Sequence, residues 1–182
     1  MRISLKQITS TVLLTCWFLA ICTVSAQQAA GAAETGPATV LNREQASAVL
    51  PGSVFFRGQT ASIQTRNSAG LRLPGGKLVL AAMVDSSGYS SALQQTYQAY
   101  LITEVRLRIG DQTLSPGAYG FGFTADNKML VMDIGGNEIL HVPTTRDEVL
   151  ARPTPLQMIA NGAPGARLYL GRSYVSIAPA DK

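Results

Sequence analysis

From Val54 onward the chain is a series of short apolar runs cut by clusters of Gly, Pro, Asn and Ser. This is the punctuation of a multi-stranded antiparallel fold, because each cluster lets the backbone reverse and each run spans one strand. The clearest strand is Leu101 to Ile109. Leu101, Thr103, Val105, Leu107 and Ile109 point one way while Glu104, Arg106 and Arg108 point the other, the alternation of a half-buried strand. Gly110-Asp111 then offers a tight turn with Gly at its first central position, as a type II′ hairpin requires. Pro116-Gly117 offers a second.

The next strand, Ala118 to Thr124, puts Tyr119, Phe121 and Phe123 on one face and bare Gly120 and Gly122 on the other. Turns at Ala125–Lys128 and Gly135–Asn137 join it to Met129–Ile134 and Glu138–Val142, so these three strands should form a meander. Pro155–Ala160 and Arg167–Ile177 read as the last strands, the second bent at Gly171. Leu78–Val84 and Met129–Ile134 do not alternate. Nearly all their residues are apolar, so both faces should be covered, by short helices, by the segment before Tyr100 or by a second copy of the chain.

Two or three short helices are expected. Asn42 with Gln45 three residues later has the form of a capping box, and Pro51-Gly52 ends the segment, which predicts a helix over Arg43–Val49. Thr145 with Glu148, stopped by Pro153, predicts another over Arg146–Arg152. Between Ser90 and Tyr100, Leu93, Tyr97, Tyr100 and Leu101 fit helical spacing while Leu93, Tyr97 and Leu101 also fit a strand, and a short helix is preferred. The expected fold is therefore all-β, an antiparallel sandwich or closed barrel of about eight strands with two or three short helices.

The N-terminus carries a different signal. Arg2 and Lys6 precede an apolar run from Ile8 to Val24, which ends at Val24-Ser25-Ala26, the pattern of a secretory signal peptide over residues 1–26. Cleavage after Ala26 is expected, with an uncleaved anchor as the alternative. Residues 27–40, rich in Ala, Gly and Gln, read as a flexible linker, and residues 41–182 as one β domain. The expected location is periplasmic or secreted, with no stable membrane span once the signal is removed.

Export also removes chemistry. Cys16 and Cys22 both lie in the signal, which leaves His141 as the only histidine and no thiol. Zinc sites draw on several His and Cys ligands, so neither a metal nor a cofactor is expected. Asp126, Asn127, Asp133 and Glu138 are not in the order of a twelve-residue calcium loop. Gly120–Ala125 matches a dinucleotide-binding string by letter but is itself a strand, and Leu73–Lys77 is a turn rather than a phosphate loop. Lys77, Lys128 and Lys182 are widely separated, which argues against nucleic acid as a partner.

Leu114-Ser115-Pro116-Gly117-Ala118-Tyr119, following a strand and a Gly-Asp turn, resembles a hairpin of exported bacterial β-sandwich proteins of uncharacterised function. The resemblance covers one hairpin and implies an envelope context, with no catalytic residue to carry over. The functional expectation is a non-enzymatic exported domain that binds a small molecule, a peptide or an envelope protein. Tyr119, Phe121 and Phe123 are the candidate ligand wall, because aromatics backed by glycines let a ligand approach closely. Two alternatives stand beside it: a hydrolase using His141 or carboxylates such as Asp85, Glu104 and Asp133, and a structural, homo-oligomeric envelope subunit.

Overall fold

The computed structural model describes residues 38–162 and 164–180, so the expected signal and most of the expected linker lie outside the described residues. In chain order the elements are β1 (Thr39–Leu41), α1 (Arg43–Val49), β2 (Ser53–Phe56), β3 (Gln59–Arg72), β4 (Leu78–Val84), α2 (Ser91–Thr96), β5 (Ala99–Thr103), β6 (Leu107–Ile109), β7 (Gln112–Leu114) and β8 (Gly117–Phe123). β9 (Lys128–Met132), β10 (Glu138–Pro143), β11 (Thr145–Arg146), β12 (Leu156–Ala160), β13 (Ala166–Leu170) and β14 (Ser173–Pro179) complete the described chain. They form two antiparallel sheets. One has eight strands in the order β1-β3-β4-β5-β8-β9-β10, with β2 added to β3; the other has six in the order β12-β13-β14-β6-β7, with β11 added to β14. The sheets are not closed into a barrel, and the architecture is a sandwich.

Between them lies the main core, to which Leu71, Leu101, Phe121 and Val131 contribute from the larger sheet and Leu107, Leu168, Val175 and Ile177 from the smaller. Both doubly apolar strands are buried on both faces, and the chain itself supplies the second cover. Ala82, Val84, Leu130 and Met132 are roofed by Phe56 and Val54 of β2, Ala61 and Ile63 of β3, and Tyr89 and Tyr97 around α2. Leu80 is roofed by Leu41 and by Ala46 of α1. The β2–β3 hairpin is the part of this roof that the sequence did not announce.

Both helices form where capping chemistry places them. The Asn42 side chain accepts from Gln45 N at 2.8 Å and Gln45 Oε1 accepts from Asn42 N at 3.0 Å, completing the capping box of α1. Ser90 caps α2. The β8-β9-β10 meander also stands, with β8 and β9 paired from Gly120–Met132 to Phe123–Met129.

Four expectations are corrected. The strand expected from Leu101 to Ile109 breaks at residues 104–106, so that β5 belongs to the larger sheet and β6 to the smaller. Thr103 Oγ1 donates to Val105 O at 2.7 Å and bends the chain there. No helix forms over Arg146–Arg152: Thr145 and Arg146 pair with β14, Asp147 Oδ1 accepts from Val149 N, and Arg172 Nη1 donates to the carbonyl of Leu150 at 3.0 Å. Those bonds outweigh a capping box that has only letters in its favour. Arg167–Ile177 is a hairpin of two strands, β13 and β14, turning at Gly171 with φ of 62°. Finally, Thr39 and Val40 pair with Arg72 and Leu71, so ordered structure starts inside the stretch expected to be linker.

Candidate functional site

The expected ligand wall is part of the core. Phe121 is fully buried between the sheets, and Tyr119 and Phe123 are partly buried against the same cluster. The Tyr119 hydroxyl donates to Ser115 O at 2.9 Å and pins the crossing from β7 to β8, while burial raises its pKa. The glycines behind the stripe do admit a close approach, but its occupants are internal. A Cβ on Gly120 would lie 2.6 Å from Phe56 and 2.9 Å from Tyr97, and one on Gly122 would strike the Thr96 carbonyl. Phe56 and Tyr97 stack at 3.9 Å above that floor. Tyr97 is completely buried, and that burial pushes its pKa well above the usual tyrosine range; its hydroxyl has no partner among the described residues.

The groups weighed for catalysis are spread over strand β10 and the separate connections after β4, β5 and β9. His141 sits half-exposed on β10, with Nε2 3.1 Å from Glu138 Oε2. Asp85 accepts from Ser87 N and Asp133 from Asn137 N and Nδ2, so each of these carboxylates fixes its own turn, while Glu104 accepts from Leu78 N and ties the end of β5 to the start of β4. The hydrogen bonds from Asn137 hold the Asp133 carboxyl below the ordinary carboxylate range, and those from Ser87 do the same for Asp85. Asp126 is lowered furthest, to about 2, by its hydrogen bonds from Lys128 and Thr124. Among the described residues no three His, Cys, Asp or Glu side chains converge to hold a metal ion. No helix of these residues is long and apolar enough to cross a membrane.

Two clefts lie elsewhere, and their residues come from distant parts of the sequence. A cleft of about 510 Å³ opens at one end of the smaller sheet. Arg108 of β6 and Asp111 of the β6–β7 turn line it, with Asn161 and Gly165 from the β12–β13 connection and Ser176 from β14. The turn is held by Gly110 N donating to Ser176 O at 2.9 Å, and the connection by Asn161 N donating to Gly165 O at 3.1 Å. Gly110 has φ of 59°, as the two-residue turn demands, and a Cβ there would lie 2.7 Å from Val142. Neither Arg108 nor Asp111 has a side-chain partner among the described residues.

A second cleft, of about 240 Å³, lies where β3, α1 and the β12 edge meet. Neither cleft includes Tyr119, Phe121, Phe123 or His141 in its lining. On the outer face of the smaller sheet, the Arg167 guanidinium lies 4.7 Å above the Tyr174 ring, and Tyr169 donates to Asp147 at 2.9 Å. Two donors near this face, Arg167 Nε and Gln157 Nε2, are buried without partners among the described residues.

Sequence reasoning missed the residues of both clefts. Gly110-Asp111 was legible as a turn, but nothing local joins it to Asn161 or Ser176. Compared with protein-family models, with curated proteins and with solved structures, the chain matches none.

Proposed function

We propose that this protein is an exported binding module whose ligand is a small polar molecule or short peptide carrying both charge signs, held in the cleft of about 510 Å³. The observation that carries the reading is the pair Arg108 and Asp111, opposite charges on one concave surface with neither engaged internally. A guanidinium offers a carboxylate two parallel hydrogen bonds, and a carboxylate accepts those of an ammonium. Asn161 and Ser176 add side chains that donate and accept. The engagement of Asp85, Glu104 and Asp133 in separate backbone hydrogen bonds favours binding over hydrolysis.

The test is a titration of isotope-labelled protein with glycylglycine, followed by amide NMR. Saturable shifts are expected at Gly110, Asp111, Asn161, Gly165 and Ser176. Arg108→Gln and Asp111→Asn should each weaken binding by about tenfold, as the loss of one charge-assisted hydrogen bond implies. The N-acetylated, C-amidated dipeptide should bind no better than the variants do. Shifts confined to other surfaces, or none, would contradict the reading.

A further inference from the structure

We infer that Asn161 is a self-modifying position: in the folded protein it loses its side-chain amide and becomes aspartate and isoaspartate, which places a new carboxylate in the larger cleft. The asparagines of the sequence are Asn42, Asn67, Asn127, Asn137 and Asn161, and Asn161 alone is followed by glycine. That neighbour decides the chemistry, because the attacking group is the next residue's backbone nitrogen. With no Cβ beside it, the nitrogen is unobstructed and the backbone is free to turn toward the amide.

The structure separates the asparagines further. The Asn42 side chain caps α1, Asn67 Nδ2 donates to Gln64 Oε1 at 2.9 Å, and Asn137 Nδ2 donates to Asp133 Oδ2 at 2.8 Å. Lys128, which opens β9, follows Asn127. Asn161 lies just past the end of β12, is exposed, and has no side-chain partner among the described residues. Gly162 is exposed as well, with φ of 76°, and a Cβ on it would meet nothing within 4 Å. Asn161 N donates to Gly165 O at 3.1 Å and Gly165 N to Gly162 O at 2.8 Å. Those bonds hold the turn while using neither the Asn161 side chain nor the Gly162 nitrogen, so the two reacting groups stay adjacent and unengaged.

Water is the only co-reactant. Solvent base takes the proton from Gly162 N, the nitrogen attacks Asn161 Cγ, the new N–Cγ bond closes a succinimide ring, and the side-chain nitrogen takes up a proton and leaves as ammonia. Water then opens the ring. Breaking the N–Cγ bond gives aspartate; breaking the bond from that nitrogen to the Asn161 main-chain carbonyl carbon gives isoaspartate, whose chain runs through Cβ and Cγ. Either product replaces a neutral amide by a carboxylate. The charged residues lining the cleft are Arg108 and Asp111, so conversion takes the lining from balanced to net negative. The modification does not depend on what the cleft binds.

The test is incubation of the folded protein in mildly alkaline buffer made with heavy-oxygen water, followed by tryptic peptide mapping in ordinary water. Because Arg152 precedes Pro153, trypsin releases residues 147–167 as one peptide, in which Asn161 is the only asparagine. That peptide should exchange its amide nitrogen for one heavy oxygen and appear in two forms, one of them labelled by an isoaspartate-specific methyltransferase. Peptides holding the other asparagines should stay unchanged. Gly162→Ala should slow the conversion by about tenfold or more, since a side chain then flanks the attacking nitrogen. Asn161→Gln keeps an amide but needs a larger ring, and should abolish the conversion while keeping the wild-type melting temperature. The proposal is overturned if Asn161 keeps its amide as long as Asn67 does, if conversion occurs only in denaturant, if no isoaspartate forms, or if Gly162→Ala converts at the wild-type rate.

Discussion

Gly122→Ala tests how the roof of the larger sheet is seated. Gly122 is not among the glycines with positive φ, so it is required for space rather than for conformation. A Cβ there meets the backbone carbonyl of Thr96, and also the Gln98 side chain at 3.2 Å. A backbone group cannot rotate aside as a side-chain tip can, so the end of α2 must lift. Three hydrogen bonds lie in the path of that shift: Gln98 N to Phe121 O at 3.0 Å, Phe123 N to Gln98 Oε1 at 3.0 Å, and Gln98 Nε2 to Phe123 O at 3.2 Å. Overpacking costs about 1–3 kcal/mol, and each weakened hydrogen bond up to about 1 kcal/mol. Replacing glycine within a strand returns up to about 1 kcal/mol. The expected loss is therefore about 3 kcal/mol, or about 6–12 °C in melting temperature. Urea denaturation measures it, with Gly52→Ala as a control, because a Cβ at Gly52 meets nothing within 4 Å. A Gly122→Ala protein within about 0.5 kcal/mol of wild type would refute the close seating, since that is the range of surface substitutions with no such contact.

Other outcomes follow from the same reasoning. Asn42→Ala removes the capping box of α1 and should cost about 1 kcal/mol in urea denaturation, whereas a loss below about 0.3 kcal/mol would deny the cap. Tyr97→Phe deletes a buried hydroxyl that has no partner and should leave stability unchanged or higher; Tyr89→Phe deletes a 3.0 Å bond to Phe56 O and should cost about 1 kcal/mol. The reverse order in thermal melts would show that Tyr97 is the bonded ring. Asp126 should titrate at about 2 by carboxyl carbon NMR, and Lys128→Met should move it toward the ordinary aspartate value of 3.8. Because the folded value is the lower one, its contribution to stability is full above the unfolded value and fades as pH falls through about 2.

Much of the β architecture was legible because period-two alternation and turn residues are local signals. β8, β9 and β10 announced themselves through Gly120, Asn127 and Gly136 and through the apolar runs between them. Sheet membership has no such signal. The alternation from Leu101 to Ile109 runs unbroken across residues 104–106 because both halves bury the same face in one core, although they belong to different sheets. Thr145 and Glu148 spell a capping box, but pairing with Tyr174 and the grip of Arg172 are made by residues far along the chain. The glycine-backed aromatics mark a place of close approach in the sequence. That Tyr97 and Phe56 fill it depends on the folding over of β2 and α2, which periodicity does not encode. Both clefts consist of residues brought together only by the tertiary fold, so single-sequence reading passed over Arg108, Asn161, Arg43 and Arg66.

The most direct measurement of the central claim is native mass spectrometry of the protein gently recovered from its own host, beside the Arg108→Gln, Asp111→Asn variant prepared identically. A binding module of the kind proposed should carry an added mass of a small charged molecule, present on the wild type and lost from the variant. A wild type recovered bare, or a variant that keeps the same added mass, would contradict the assignment of the larger cleft.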